Sequence, residues 1–381
     1  MTTRVGFGRA VITPPLPVAL AGYGGRAGPA TEVRDDLEAR VLYAASSDET
    51  ALCLIVCDLL GMSPSFANPV RAAVGEALGL PMAAVLTACI HTHAGPSAIA
   101  GSEALGWPTP EGYRDILVNG CVAAALEARG NAEPATFHYR RESLPDGLSV
   151  NRRGYPYAPT FAALDVRASS GARIGALANV SIHPVALGPS SLAVSSDWVG
   201  SFRDALESSH GGRAVLLSGA LGDVNPPLHA HAEGFYDNDN FQDAHELGVR
   251  VAGAVGPALD ACEAVGTGIG VRRHRWVEIE ASGALAALAG VAGPVSVELV
   301  EWMLGDVRLV TVPGEAFHAL GKKIEAAVGG ASLLAGLSPV WQGYLPDPWG
   351  DGYEEGVSYG EDFVDGVRTA LLDDDHHHDH A

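Results

Sequence analysis

Ala-Val-Leu-Thr-Ala-Cys-Ile-His-Thr-His-Ala-Gly-Pro, residues 84–96, is an apolar run that breaks into two histidines separated by one residue and then into a turn. A short apolar run bounded by turn residues reads as a buried strand, so Ala84 to Ile90 is expected to deliver His91 and His93 at its carboxyl end. In extended backbone, side chains at i and i+2 share a face, which lets the two imidazoles address one site. The pair is either a metal or acid/base site or two ordinary histidines of surface or core. Spacing alone leaves both open.

The same order of elements extends outward from this strand. Glu38 to Ser46 and Ala51 to Asp58 are apolar runs joined by a polar turn, which predicts a hairpin. Pro69 to Leu80 reads as a helix with Val70, Val74 and Leu78 on one stripe, and Glu111 to Arg129 as a second helix closed by Gly130. Further on, Ile174 to Ile182 is a strand leading into His183-Pro184. Ser196 can cap a helix whose stripe is Trp198, Phe202 and Leu206. Arg213 to Ser218 is a strand followed by Gly-Ala-Leu-Gly-Asp-Val-Asn-Pro-Pro, and Val307 to Val312 ends in Pro-Gly-Glu before a helix over Ala316 to Ala327. Strand and helix alternate, which predicts an α/β layered architecture with mixed sheets flanked by helices. Each polar residue of interest follows a strand, the place where layered α/β proteins gather ligands.

Composition narrows the partners. The chain has 381 residues, 47% hydrophobic and 18% charged, enough for a sizeable core. Its formal net charge is -21, which argues against nucleic acid and against anionic membrane surfaces. The five cysteines, Cys53, Cys57, Cys89, Cys121 and Cys262, are odd in number and lack C-x-x-C spacing, so they read as small core residues. The N-terminus has no apolar signal-peptide core, and the longest candidate span, 283 to 300, is interrupted by Gly and Pro. A cytoplasmic location is expected. The tail Asp-Asp-Asp-His-His-His-Asp-His, 373–380, reads as a solvated, disordered chain end with weak adventitious metal binding at most.

Several landmarks occur in one order: Gly-Arg-Ala-Val-Ile-Thr-Pro-Pro at 8–15, Leu-Ala-Gly-Tyr-Gly at 20–24, His-Thr-His-Ala-Gly-Pro at 91–96 and Asn-Arg-Arg at 151–153. They continue with Ser-Ile-His-Pro at 181–184, Ser-Ser-Asp-Trp-Val-Gly at 195–200, Gly-Asp-Val-Asn-Pro at 222–226, Val-Pro-Gly-Glu-Ala-Phe at 312–317 and Gly-Tyr-Glu-Glu at 352–355. In this series the chain resembles the catalytic domain of the neutral/alkaline non-lysosomal ceramidase family, from about residue 5 to about residue 370. The resemblance implies a single domain over 1–370 with a tail at 371–381, and a zinc amidase that cleaves an N-acyl bond. It implies His91, His183, Glu315 and Tyr344 as zinc ligands, and His93, Tyr353 and Arg152 as residues around the substrate carbonyl. Two departures stand out. Asn225 occupies the position of the family's catalytic-loop serine, and the chain has no room for the family's C-terminal immunoglobulin-like domain. With no secretion signal and a charge of -21, a small soluble substrate is expected in place of a membrane lipid.

Two imidazoles, a carboxylate and a phenolate form a set suited to Zn²⁺, with a position left for water whose pKa falls to about 7. Such water attacks an amide or ester directly, so loss of a serine hydroxyl is tolerable. Glu315 is expected to open a helix, where the dipole favours its ionised form. His93 can carry a proton from water to the leaving amine, or only orient the site. Tyr353 and Arg152 can stabilise charge on the carbonyl oxygen, and Arg152 equally suits a structural ion pair or a substrate carboxylate. Asp197 reads as a helix-start residue and Asp223 as a brace of its loop. His229 and His231 form a further His-x-His that can line the pocket or hold a second metal, with a bland loop role preferred, and His138, His210, His245, His274 and His318 read as structural or exposed. The leading reading is a zinc-dependent amide hydrolase. Its alternatives are a zinc esterase or lactonase, and a non-catalytic metal- or ligand-binding relative. The sequence leaves the oligomeric state open.

Overall fold

The structure is a computed structural model that describes residues 2–47, 50–228, 237–291 and 293–373. Its main sheet has nine strands: Thr3–Val11 (β1), Glu38–Ser46 (β2), Ala51–Cys57 (β3), Val85–Cys89 (β4), Glu133–Ser143 (β5), Thr160–Ala168 (β6), Arg173–Val180 (β7), Arg213–Ser218 (β8) and Glu263–Val265 (β9). Across the sheet the order is β8-β7-β6-β5-β1-β2-β3-β4, with β9 alongside β5. The pairs β3/β4 and β7/β8 are parallel, whereas the interior pairs are antiparallel. A second sheet carries Ile269–Ala281 (β10), Gly293–Leu304 (β11), Val307–Val312 (β12) and Ser332–Gly336 (β13) in chain order. The α/β layered reading, with mixed sheets and flanking helices, is the architecture found.

Strand periodicity explains the layers. In β2 and β3, Leu42, Ala44, Leu52, Leu54 and Val56 face one core, and Val41, Tyr43, Cys53, Ile55 and Cys57 face the other. The second core is completed by the helices Pro64–Leu78 (α1) and Tyr113–Gly130 (α2), through Val70, Val74, Leu117 and Cys121. Behind the first core lie Trp198–His210 (α3) and Phe241–Asp260 (α4). Each valine, leucine or isoleucine so buried contributes about 1.5–3 kcal/mol. The cysteines fit this account: Cys53, Cys57, Cys89 and Cys121 are buried and all five are free thiols.

The sheet curls until its two outer strands meet. Although β4 and β8 stand at opposite ends of the order, Ser218 Oγ, at the end of β8, donates to the Ile90 carbonyl just past β4 at 3.0 Å. Asn179 fastens the second sheet to this junction: its Nδ2 donates to the Leu217 and Leu334 carbonyls, each at 2.9 Å, and its Oδ1 accepts from Leu334 N at 3.0 Å. The loops after β4, β7 and β8 therefore open into one place.

The hairpin β2/β3 and the strands β8 and β12 lie where the apolar runs placed them. Other boundaries differ. Helix α1 starts at Pro64, not Pro69, because Pro64 stands in the first turn, where a missing N–H is harmless, and Phe66 and Ala67 extend the buried stripe. It ends at Leu78 because Gly79 takes a left-handed φ of 74°. Helix α3 does bury Trp198, Phe202 and Leu206, but its cap is Asp197; the Ser196 hydroxyl turns to Asp35 instead. The run 283–300 divides into the short helix Gly283–Leu288 (α5) and β11. Among the described residues no helix is long and apolar enough to cross a membrane. The last helices are His318–Val328 (α6), Tyr353–Gly356 (α7) and Glu361–Leu372 (α8). The tail beyond Asp373 lies outside the described residues, as do His229 and His231.

Candidate metal centre

Strand β4 stops at Cys89, and His91 takes a left-handed φ of 77°. The expected strand alternation is therefore not what pairs His91 with His93. A left-handed turn does so, leaving the rings 5.1 Å apart and nearly perpendicular. His91 is fixed by the stretch after β3: its N–H donates to the Leu59 carbonyl at 2.9 Å, and its Nδ1 lies 2.6 Å from the Leu60 carbonyl. His183, just past β7, lies with its ring 4.8 Å from that of His91. Its backbone N and its Nδ1 both approach the Val224 carbonyl, at 2.9 and 3.1 Å. A carbonyl only accepts, so each Nδ1 carries a proton, and in the neutral ring each Nε2 is left with a lone pair.

Those lone pairs face a carboxylate. His91 Nε2 lies 3.0 Å and His183 Nε2 3.4 Å from the same oxygen, Glu315 Oε2. Among the described residues none of these three buried atoms has a hydrogen-bond partner, and neither do the two buried ring nitrogens of His93. The ligand atoms of His91, His93 and His183 all lie within 4.8 Å of one another. Burial pushes the His183 pKa down to about 4, against the pull of Glu315, and holds His93 well below the usual histidine range. Glu315 shows the opposite balance: burial raises its pKa, but His91 and His183 pull it well below the usual carboxylate range. Two buried Nε2 atoms and an ionised carboxylate oxygen aimed at one point are satisfied together by a cation between them. The residues present thus fit a divalent metal.

Glu315 does not open a helix. It lies in a two-residue strand, Glu315–Ala316, paired in parallel with Tyr344–Leu345, and α6 begins only at His318. The pairing sets Glu315 directly opposite Tyr344, which puts a phenol beside the carboxylate. Burial, and then Glu315, hold the Tyr344 pKa well above the ordinary phenol value. The Tyr344 hydroxyl is 3.4 Å from that of Tyr353, and the Arg152 guanidinium lies over both rings, 5.7 and 5.1 Å from their centroids. Arg152 donates to Glu354 at 3.0 and 2.7 Å, to Asn225 Oδ1 at 3.1 Å and to the Gly222 carbonyl at 2.6 Å. Arg152 thus forms a structural ion pair with buried Glu354, and its guanidinium also lies over the two tyrosines and holds the Asn225 loop.

Two residues not singled out from the sequence complete the site. Trp341 Nε1 donates to Glu315 Oε1 at 2.8 Å, leaving only Oε2 for a cation. Tyr23 leans on His93 with ring centroids 4.7 Å apart, and its hydroxyl donates to the Leu187 carbonyl at 3.0 Å. Both contacts join distant segments, so no local pattern announces them; only the Gly-Tyr-Gly context marked Tyr23. Neighbouring Gly22 has a φ of 97°, and a Cβ there would overlap His93 Cγ. Gly22→Ala is expected to displace His93 and lower kcat/KM at least about tenfold with little change in metal content, since small misplacements of a reacting group are costly. Steady-state kinetics alongside elemental analysis reads this, and an unchanged kcat/KM would contradict it.

The remaining candidates have bonded roles. Asp197 caps α3 by accepting from Trp198 N at 2.7 Å. Asp223 braces its loop by accepting from Asn151 Nδ2 at 2.6 Å and from His318 N at 2.7 Å. His138, His210, His245 and His274 contact Thr136, Asp260, Ser201 and Glu298, and the His318 ring packs on Tyr157.

This α/β fold is neutral-ceramidase-like. Neutral ceramidase from Pseudomonas aeruginosa superposes with a TM-score of 0.83 at 19% identity, covering 98% of this chain and 74% of that one. A ceramidase described as complexed with C2 gives a TM-score of 0.81 at 18% identity with the same coverage. No protein-family model and no curated protein matches the sequence.

Proposed function

We propose that the chain is a zinc-dependent hydrolase that cleaves the amide (N-acyl) bond of a small soluble substrate, with His91, His183, Glu315 and Tyr344 as metal ligands. One observation carries the reading: two imidazole Nε2 atoms and a carboxylate oxygen, all buried, converge and find no hydrogen-bond partner among the described residues. The likeness in fold to neutral ceramidases supports the choice of an amide.

When bound, zinc supplies Lewis acidity that polarises the acyl carbonyl and makes water available as a nucleophile at neutral pH. The protein does the rest. His93, kept neutral by burial, takes a proton from the attacking water at a ring nitrogen and hands it to the nitrogen of the departing amine as the C–N bond breaks. Tyr353 donates its hydroxyl to the carbonyl oxygen as negative charge builds there. Arg152 holds Tyr344 and Tyr353 in place and offsets part of the burial that raises the pKa of both phenols. Asn225 fixes Arg152 through its side-chain oxygen and takes no part in bond making.

The test is metal analysis of untreated protein together with matched N-acyl and O-acyl substrates. About one zinc per chain and faster turnover of the amide are expected. Protein without metal, or a preference for the oxygen ester, would overturn the respective half of the reading.

A further inference from the structure

The loops that deliver the three histidines share an anchor, the turn Ser195–Trp198. On one side it holds the His91–His93 loop: Thr92 Oγ1 donates to the Ser195 carbonyl at 2.8 Å, and Ser195 N donates to the Ala94 carbonyl at 2.9 Å. On the other it holds the His183 loop. Asp197 Oδ1 accepts from Ala186 N at 3.1 Å, its Oδ2 accepts from Leu187 N at 2.9 Å, and the Trp198 indole donates to the His183 carbonyl at 3.2 Å. Leu187 in turn accepts the Tyr23 hydroxyl, whose ring rests on His93. Asp197 has φ 59° and ψ -139°, a conformation that a non-glycine residue holds only where its surroundings enforce it. Here three backbone N–H groups and the indole contact enforce it. These bonds exceed what a cap requires, since the cap needs only Trp198 N.

We infer that Asp197 is a positioning residue that sets the His183 and His93 loops at one mutual distance, so that metal affinity and proton transfer depend on a side chain that touches neither metal nor substrate. The inference rests on the metal-dependent reading above. Asp197→Asn keeps size and one acceptor oxygen, but sets an NH₂ group against a backbone N–H. It should weaken zinc binding at least about tenfold, the range seen when a group supporting a ligand is lost. Tyr23→Phe cuts only the branch to His93, so it should lower kcat and leave the zinc Kd unchanged.

The experiment is competition titration of zinc against a chromophoric chelator for the wild type, D197N and Y23F, with kcat and KM for the loaded proteins and circular dichroism for folding. A folded D197N with a zinc Kd within about threefold of wild type overturns the inference. So does a Y23F that loses zinc affinity together with D197N. If D197N fails to fold, Trp198→Phe removes the indole N–H to His183 while keeping a ring, and an unchanged zinc Kd there overturns the inference equally. A wild type that binds no zinc sinks the proposed function instead, which separates the two failures.

Discussion

His183→Ala is expected to emerge from purification without zinc and to turn over acyl substrates at less than about 10⁻³ of the wild-type rate, a loss of at least about 4 kcal/mol in transition-state stabilisation. The magnitude follows from the geometry. Removing one imidazole leaves His91 Nε2 as the nearest ring nitrogen to Glu315 Oε2, and a buried carboxylate with one such neighbour holds a divalent cation poorly. The fold should survive, because His183 is clasped through backbone groups, its N–H to Val224 and its carbonyl to Trp198. Elemental analysis, circular dichroism and kinetics on one preparation check all three statements. Zinc retained at wild-type stoichiometry would refute the ligand assignment.

Arg203→Met is expected to destabilise the protein by about 3–5 kcal/mol, the usual consequence of leaving a buried carboxylate without its cation. Arg203 in α3 donates to Asp58 Oδ1 at 2.7 Å and to Oδ2 at 2.8 Å, and both side chains are almost wholly inaccessible. Asp58 also accepts from Glu38 N at 2.9 Å, so the pair ties α3 to the ends of β2 and β3. Asp58 directly precedes Leu59 and Leu60, whose carbonyls hold His91, so the loss should reach the metal centre as well. Urea unfolding with linear extrapolation measures the change. A loss below about 1 kcal/mol would show the pair to be dispensable. Replacing Asp58 with leucine in the same chain should return part of the stability, because the stranded charge is then gone.

What could be read from the sequence follows from the range of each interaction. The hairpin β2/β3 and strand β8 are written in local alternation, so a window of a few residues finds them. The meeting of His91 with His93 was legible as an outcome but not as a geometry, because spacing does not reveal that His91 adopts φ 77°. Ser196 and Asp197 are adjacent and both suited to cap a helix; only Asp35, more than 150 residues away, decides between them by engaging the serine. Glu315 reads as a helix opener because Ala316 and the residues after it are good helix formers. Its pairing with Tyr344 is tertiary and overrides that preference. Trp341, which turns Glu315 toward the imidazoles, was hidden for the same reason.

The curl that joins β4 to β8 would give a cation held as proposed a mechanical duty in addition to its chemical one. The proposed ligands lie roughly 30 to 250 residues apart in sequence, on both sides of the line where the two outer strands meet. Ligation there works as a reversible cross-link, shrinking the conformational freedom of the open chain far more than a clasp between near neighbours would. On the proposed function, the ion that prepares the water would thereby also rivet the wall around it.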